Sequence, residues 1–131
     1  MSQIVSLHLR PRYAETDQMG IVYYANYLVW FECGRSEYMR AVGMPYTELE
    51  SRGYYFPVTE FQCRLTASAR YDEEITVQTR IEELKSRQLC YAYEVTRDEQ
   101  LLAAGTTTHM CVNDQQRPVR FPKWLLDGLS V

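Results

Sequence analysis

The sequence predicts an α+β fold, an antiparallel sheet wrapped around one long central helix. Three observations carry that prediction. Apolar residues recur at intervals of three and four from about Ala25 to Val42. Three later stretches alternate apolar and polar residues with period two, and a fourth strand follows them. The connections between those stretches are short, as antiparallel neighbours require. With 131 residues the chain has the length of one domain, taken as 1–131.

Each element follows from local pattern. Val5, Leu7 and Leu9 alternate within 4–12, a strand that Pro11 stops. Residues 13–23 hold the turn formers Thr16, Asp17 and Gly20 and read as a loop. Tyr27, Trp30, Phe31, Gly34, Tyr38, Ala41 and Val42 then mark one face of the helix. Gly34 costs about 1 kcal/mol there relative to alanine, which implies close approach to another backbone. Gly43 and Pro45 end the helix, and a short second helix is expected over 45–51. Strands are predicted over 59–67, 74–82 and 88–97, each with one face buried, and a fourth over 101–112. A last helical turn or two is expected between Pro122 and Leu129.

Composition narrows the function. Hydrophobic residues make up 46%, charged residues 24%, and the net charge is −3, so a wholly basic nucleic-acid surface is excluded. No apolar run approaches the roughly 20 residues of a membrane span, and the N-terminus lacks a signal-peptide pattern. Cys33, Cys63, Cys90 and Cys111 have no paired metal-ligand spacing and read as free core thiols, which suits a cytoplasmic protein. No metal is expected. The two histidines, His8 and His109, are far apart and read as structural. Eleven tyrosines suggest pockets or interfaces, where an apolar ring with a polar tip is useful.

The segment that stands out runs from Tyr13 to Tyr27. An acidic loop there feeds the start of the longest helix, where unpaired N–H groups and a partial positive charge suit an oxyanion. Asp17 just upstream can supply a nucleophile or a general base. It can equally cap a turn, with Gly20 permitting the bend. Tyr27 and Phe31 fit the helix core as well as a pocket wall.

The run Asp17-Gln18-Met19-Gly20-Ile21-Val22-Tyr23-Tyr24-Ala25-Asn26-Tyr27, with its flanks from Tyr13 to Glu32, resembles the signature of the 4-hydroxybenzoyl-CoA thioesterase family. These are hotdog-fold acyl-CoA thioesterases, and the group includes the Tol–Pal-associated thioesterases. Pro57-Val58-Thr59, Tyr71 to Ile75 and Arg117 to Pro122 extend the resemblance over most of the chain. The resemblance implies hydrolysis of an acyl-CoA to a free acid and coenzyme A, with coenzyme A as part of the substrate and no cofactor. Asp17 falls on the catalytic aspartate, and a backbone N–H near Tyr24 falls where the carbonyl is polarised. Many members of the Tol–Pal-like branch carry histidine at the position of Tyr24, so an imidazole mechanism does not transfer. Tyr13 and Tyr27 lie beside the reactive segment as substrate-binding candidates.

The resemblance also implies a homodimer, with tetramers as a further option, in which the partner's strand at Pro57, Val58 and Thr59 helps wall the site. Arg70 and Arg87, with Lys85, Arg117 and Arg120, are candidates for the coenzyme A phosphates. An aromatic acyl group and a short or medium aliphatic one fit the sequence equally. The alternative is a non-catalytic hotdog module that binds acyl-CoA.

Overall fold

The computed structural model describes residues 3–129. Strand β1 (Val5–Leu9) leads through a 3-10 turn (Tyr13–Glu15) to helix α1 (Asn26–Ala41) and helix α2 (Tyr46–Ser51). Strands β2 (Val58–Leu65), β3 (Ile75–Leu84), β4 (Leu89–Arg97) and β5 (Gln100–His109) follow. Two short strands, β6 (Cys111–Val112) and β7 (Pro118–Val119), pair with each other before helix α3 (Lys123–Leu129).

The five long strands form one antiparallel sheet in the order β1-β3-β4-β5-β2. One face carries α1. Phe31 stacks on Tyr93 with ring centroids 4.3 Å apart and planes 4° from parallel, and Tyr38 meets Tyr91 edge-on. Val77, Val95, Leu102 and Met39 fill the layer between helix and sheet. Gly34 provides the close approach that its mid-helix position predicts. Its neighbours are side chains rather than backbone: a Cβ would stand 2.5 Å from Thr79 Oγ1 and 3.0 Å from Val77 Cγ1.

Two expectations need correction. The short link at 70–73 suggests that β2 and β3 are neighbours, yet β2 pairs with β5 on the far side of the sheet. The chain after β2 instead crosses the N-terminal end of α1. Val22 N–H donates to Ala69 O at 2.8 Å, and Ala69 N–H donates to the Tyr27 hydroxyl at 3.2 Å. Arg97 holds the same crossing from β4, donating to Ser68 O at 3.0 Å and pairing with Glu73 at 2.9 Å.

The second correction concerns β2, whose alternation predicts one buried face. All eight of its residues are exposed, with Phe61 at 59% and Leu65 at 48%. As the edge strand it lies beyond the cover of α1. Cys63 on this strand is exposed as well, so it is not a core thiol, whereas Cys90 and Cys111 are buried.

Gly105 keeps β2 in place. It sits on β5 between Cys63 and Tyr93, and a Cβ there would overlap the Gln62 carbonyl oxygen and stand 2.8 Å from the Phe31 ring. Alanine normally improves a strand over glycine by about 0.5–1 kcal/mol. Here the sign reverses. Gly105→Ala is expected to destabilise the protein by about 2–3 kcal/mol through overpacking, read as a lower urea midpoint.

Candidate active site

The loop between β1 and α1 is held from inside by Glu15. Its buried carboxylate accepts from Arg12 N–H at 2.8 Å and from Trp30 Nε1–H at 3.1 Å. Its carbonyl accepts from Tyr23 N–H and from the Asn26 side chain, both at 2.8 Å. Glu15 therefore ties the loop to the first turn of α1, a role the sequence pattern does not show. The available signal is Trp30: an indole N–H on a buried helix face needs an acceptor.

Asp17 opens a tight turn. Its N–H donates to Ile21 O at 2.9 Å, and its carbonyl accepts from Gly20 N–H at 3.0 Å. Oδ1 accepts from Met19 N–H at 2.8 Å, so the capping role is real. The other carboxylate oxygen has no hydrogen-bond partner among the described residues. Gly20, at φ +78°, supplies the left-handed conformation that closes the turn.

The backbone bonds at the start of α1 use the N–H groups of Asn26, Tyr27 and Leu28, which reach Tyr23, Tyr24 and Ala25 O. Those of Tyr24 and Ala25 have no backbone acceptor among the described residues. They are the orphan donors of a helix N-terminus. Asp17, Tyr24 and Tyr27 meet in one cleft of about 290 Å³, walled on the other side by Leu65 to Ser68. The phenol of neighbouring Tyr23 has its pKa raised, first by the hydrogen bond to Tyr24 and in part by the Asp17 charge. A carboxylate and Tyr24, whose N–H has no backbone acceptor among the described residues, thus line one small, partly apolar cleft, suited to an electrophilic carbonyl.

The other predicted residues are distributed unevenly. Tyr27 is buried at the cleft base, its hydroxyl taken by Ala69 N–H; burial pushes its phenol pKa up. Tyr13 is exposed and stacks on Tyr71 at 4.0 Å, outside the cleft. Arg70 donates to Gly20 O at 3.3 Å and so clamps the Asp17 turn.

Pro57, Val58, Thr59 and Arg87 lie at the opposite end of the sheet. The register shows this directly: Val58 and Leu89 both pair with His109, while Leu65 and Val95 both pair with Ala103. The seven steps between its 8 residues, at roughly 3.3 Å each, separate the ends of β2 by about 23 Å. Lys85, Arg117 and Arg120 belong to the far end too, where Phe121 N–H donates to Ser86 O. Among the described residues, no three His, Cys, Asp or Glu side chains gather as a metal site requires. No described helix is long and apolar enough to cross a membrane.

An antiparallel sheet wrapped on one long helix is the hotdog fold of the thioesterases. The chain belongs to the thioesterase-like superfamily, whose family model matches residues 11–129. It is similar to the putative acyl-CoA thioesterase YneP of Bacillus subtilis, 38% identical over 117 residues and covering 88% of this chain and 85% of that one. Among solved structures, the hypothetical protein TT1821 of Thermus thermophilus superposes with a TM-score of 0.93 at 41% identity, over 95% of this chain and 96% of that one. The DHNA-CoA thioesterase of Staphylococcus aureus superposes with a TM-score of 0.89 at 31% identity, over 95% and 85%.

Proposed function

We propose that the protein hydrolyses acyl-CoA thioesters in a homodimer whose active sites are shared between two chains. One observation carries this reading: the residues expected around the thioester lie at opposite ends of an exposed edge strand. Antiparallel pairing of two β2 strands about a twofold axis sets Leu65 of one chain beside the partner's Val58. The partner's Pro57, Val58 and Thr59 then wall the Asp17 cleft, and the partner's Arg87 stands at the same end. The same pairing covers Phe61 and Leu65 and satisfies the open edge of the sheet.

In this reading the thioester carbonyl points its oxygen at the Tyr24 and Ala25 N–H groups. Asp17 attacks the carbonyl carbon, or takes a proton from the water that does so. Both routes place the negative charge on the same oxygen, where the helix terminus stabilises it. The C–S bond then breaks and the coenzyme A thiolate leaves, taking up the proton that Asp17 drew from water on the base route. On the nucleophile route water then cleaves the Asp17–acyl anhydride, which frees the acid, restores the carboxylate and supplies the proton. Coenzyme A enters as part of the substrate, and no cofactor takes part. YneP carries an acyl-CoA thioesterase name, which supports this substrate class. The DHNA-CoA thioesterase supports an aromatic acyl group in particular. Four unpaired cysteines support a cytoplasmic location.

Thiol release from a panel of aromatic and aliphatic acyl-CoAs tests the activity. Tyr24→Phe separates the backbone from the side chain. A decrease in kcat of less than about 5-fold is expected, since the N–H is retained. A loss near 100-fold would assign the polarising role to the phenol instead.

A further inference from the structure

A second cleft of about 390 Å³ lies between α1 and the Val58 end of β2. Leu28, Val29, Val58 and Phe61 give it apolar walls, and Arg35 and Thr107 reach it from the polar side. Arg35 is half-buried and forms no ion pair among the described residues. Every other described arginine without an ion pair is exposed. Glu32 lines the same cleft one turn earlier on α1, is exposed, and is not within 4.0 Å of the guanidinium.

Glu32 aside, the side chains packed around Arg35 are neutral, and its guanidinium bonds the hydroxyls of Tyr46 and Tyr93. His109 Nδ1–H donates to Phe56 O at 2.9 Å, so its Nε2 must accept, and Thr107 donates to it at 2.8 Å. Tyr93 in turn donates to Thr107 Oγ1 at 2.5 Å. The hydroxyls of Tyr46 and Tyr91 bond each other at 2.7 Å. Burial keeps all three tyrosines as phenols, with Arg35 pulling back on each. Burial pushes the His109 pKa down to about 4, and Arg35 adds to the shift, so the imidazole is neutral. A guanidinium partly withdrawn from water among neutral groups is matched by an acceptor oxygen brought from outside.

We propose that Arg35 binds an acceptor oxygen, phenolic or carboxylate, on the acyl group, and so selects acyl-CoAs that carry one away from the thioester. The inference rests on the hydrolase and paired-strand reading above. In that assembly the partner's Val58 and Thr59 border the Asp17 cleft, so the acyl group passes from it toward the partner's Arg35. Apolar walls hold the ring or chain, and the guanidinium meets its far end.

Two matched substrate pairs test this with the full-length protein: benzoyl-CoA against 4-hydroxybenzoyl-CoA, and hexanoyl-CoA against the mono-CoA thioester of adipic acid. The readout is the ratio of kcat/KM within each pair, for wild type, Arg35→Met and Arg35→Lys, with circular dichroism and sedimentation as controls. Wild type is expected to favour the oxygen-bearing member of at least one pair by about 10-fold or more. Arg35→Met is expected to cut that ratio at least about 10-fold, mainly through KM, and Arg35→Lys to restore part of it. An equal loss on both members of each pair, a ratio unchanged in Arg35→Met, or wild-type ratios near one would overturn the inference and leave the hydrolase reading standing. Absence of thiol release by wild type from all four substrates would overturn the hydrolase reading itself.

Discussion

Replacing Asp17 by asparagine is expected to lower kcat for acyl-CoA hydrolysis by at least about 100-fold, with the fold and the oligomer unchanged. The substitution is isosteric. Its side-chain oxygen still accepts from Met19 N–H, so the turn that Asp17 Oδ1 caps at 2.8 Å is kept. The charge and the basic second oxygen are removed. That oxygen has no other partner among the described residues, so no structural bond is lost with it. KM should therefore change much less than kcat, the pattern of a group that acts in the transition state. Thiol release under saturating substrate measures this, and turnover within a few-fold of wild type would remove Asp17 from the chemistry.

Phe61→Glu is expected to produce a folded monomer with hydrolysis reduced by at least about 100-fold. Phe61 is 59% exposed in the single chain, so the substitution costs the isolated fold little. In a twofold pair it places two carboxylates against the interface and removes two buried rings worth about 1.5–3 kcal/mol each. Loss of the partner opens the Asp17 cleft on the side that the partner's Val58 and Thr59 close. Sedimentation equilibrium and thiol release are the measurements. A fully active monomer would show that each chain holds a complete site.

These effects show how far the sequence could be read. Helix α1 was legible because a stripe at intervals of three and four ends in Gly43 and Pro45, both local signals. Strands β3, β4 and β5 were legible from alternation and tight turns. The partner of β2 was not. Its choice of β5 depends on the crossing that Ala69, Tyr27 and Arg97 hold over the end of α1, and no local pattern records such a tertiary constraint. The same holds at the site. Asp17, Tyr24 and Tyr27 are close in sequence and share the cleft. Tyr13, equally close, turns away onto Tyr71, and Arg70 is engaged by Gly20. Glu15 and Arg35 have no motif in the sequence because their roles come from what surrounds them: an indole N–H in one case, a set of neutral hydroxyls in the other.

The shared site is tested most directly by mixing two inactive variants, Asp17→Asn and Thr59→Trp, in which the indole blocks the wall. In a mixed dimer of the proposed kind, one site combines both defects and the other combines Asp17 of one chain with the partner's intact Thr59. Random pairing should therefore restore about a quarter of wild-type thiol release. If mixed dimers form and release no thiol, Asp17 and Thr59 act within one chain and the shared-site account is wrong.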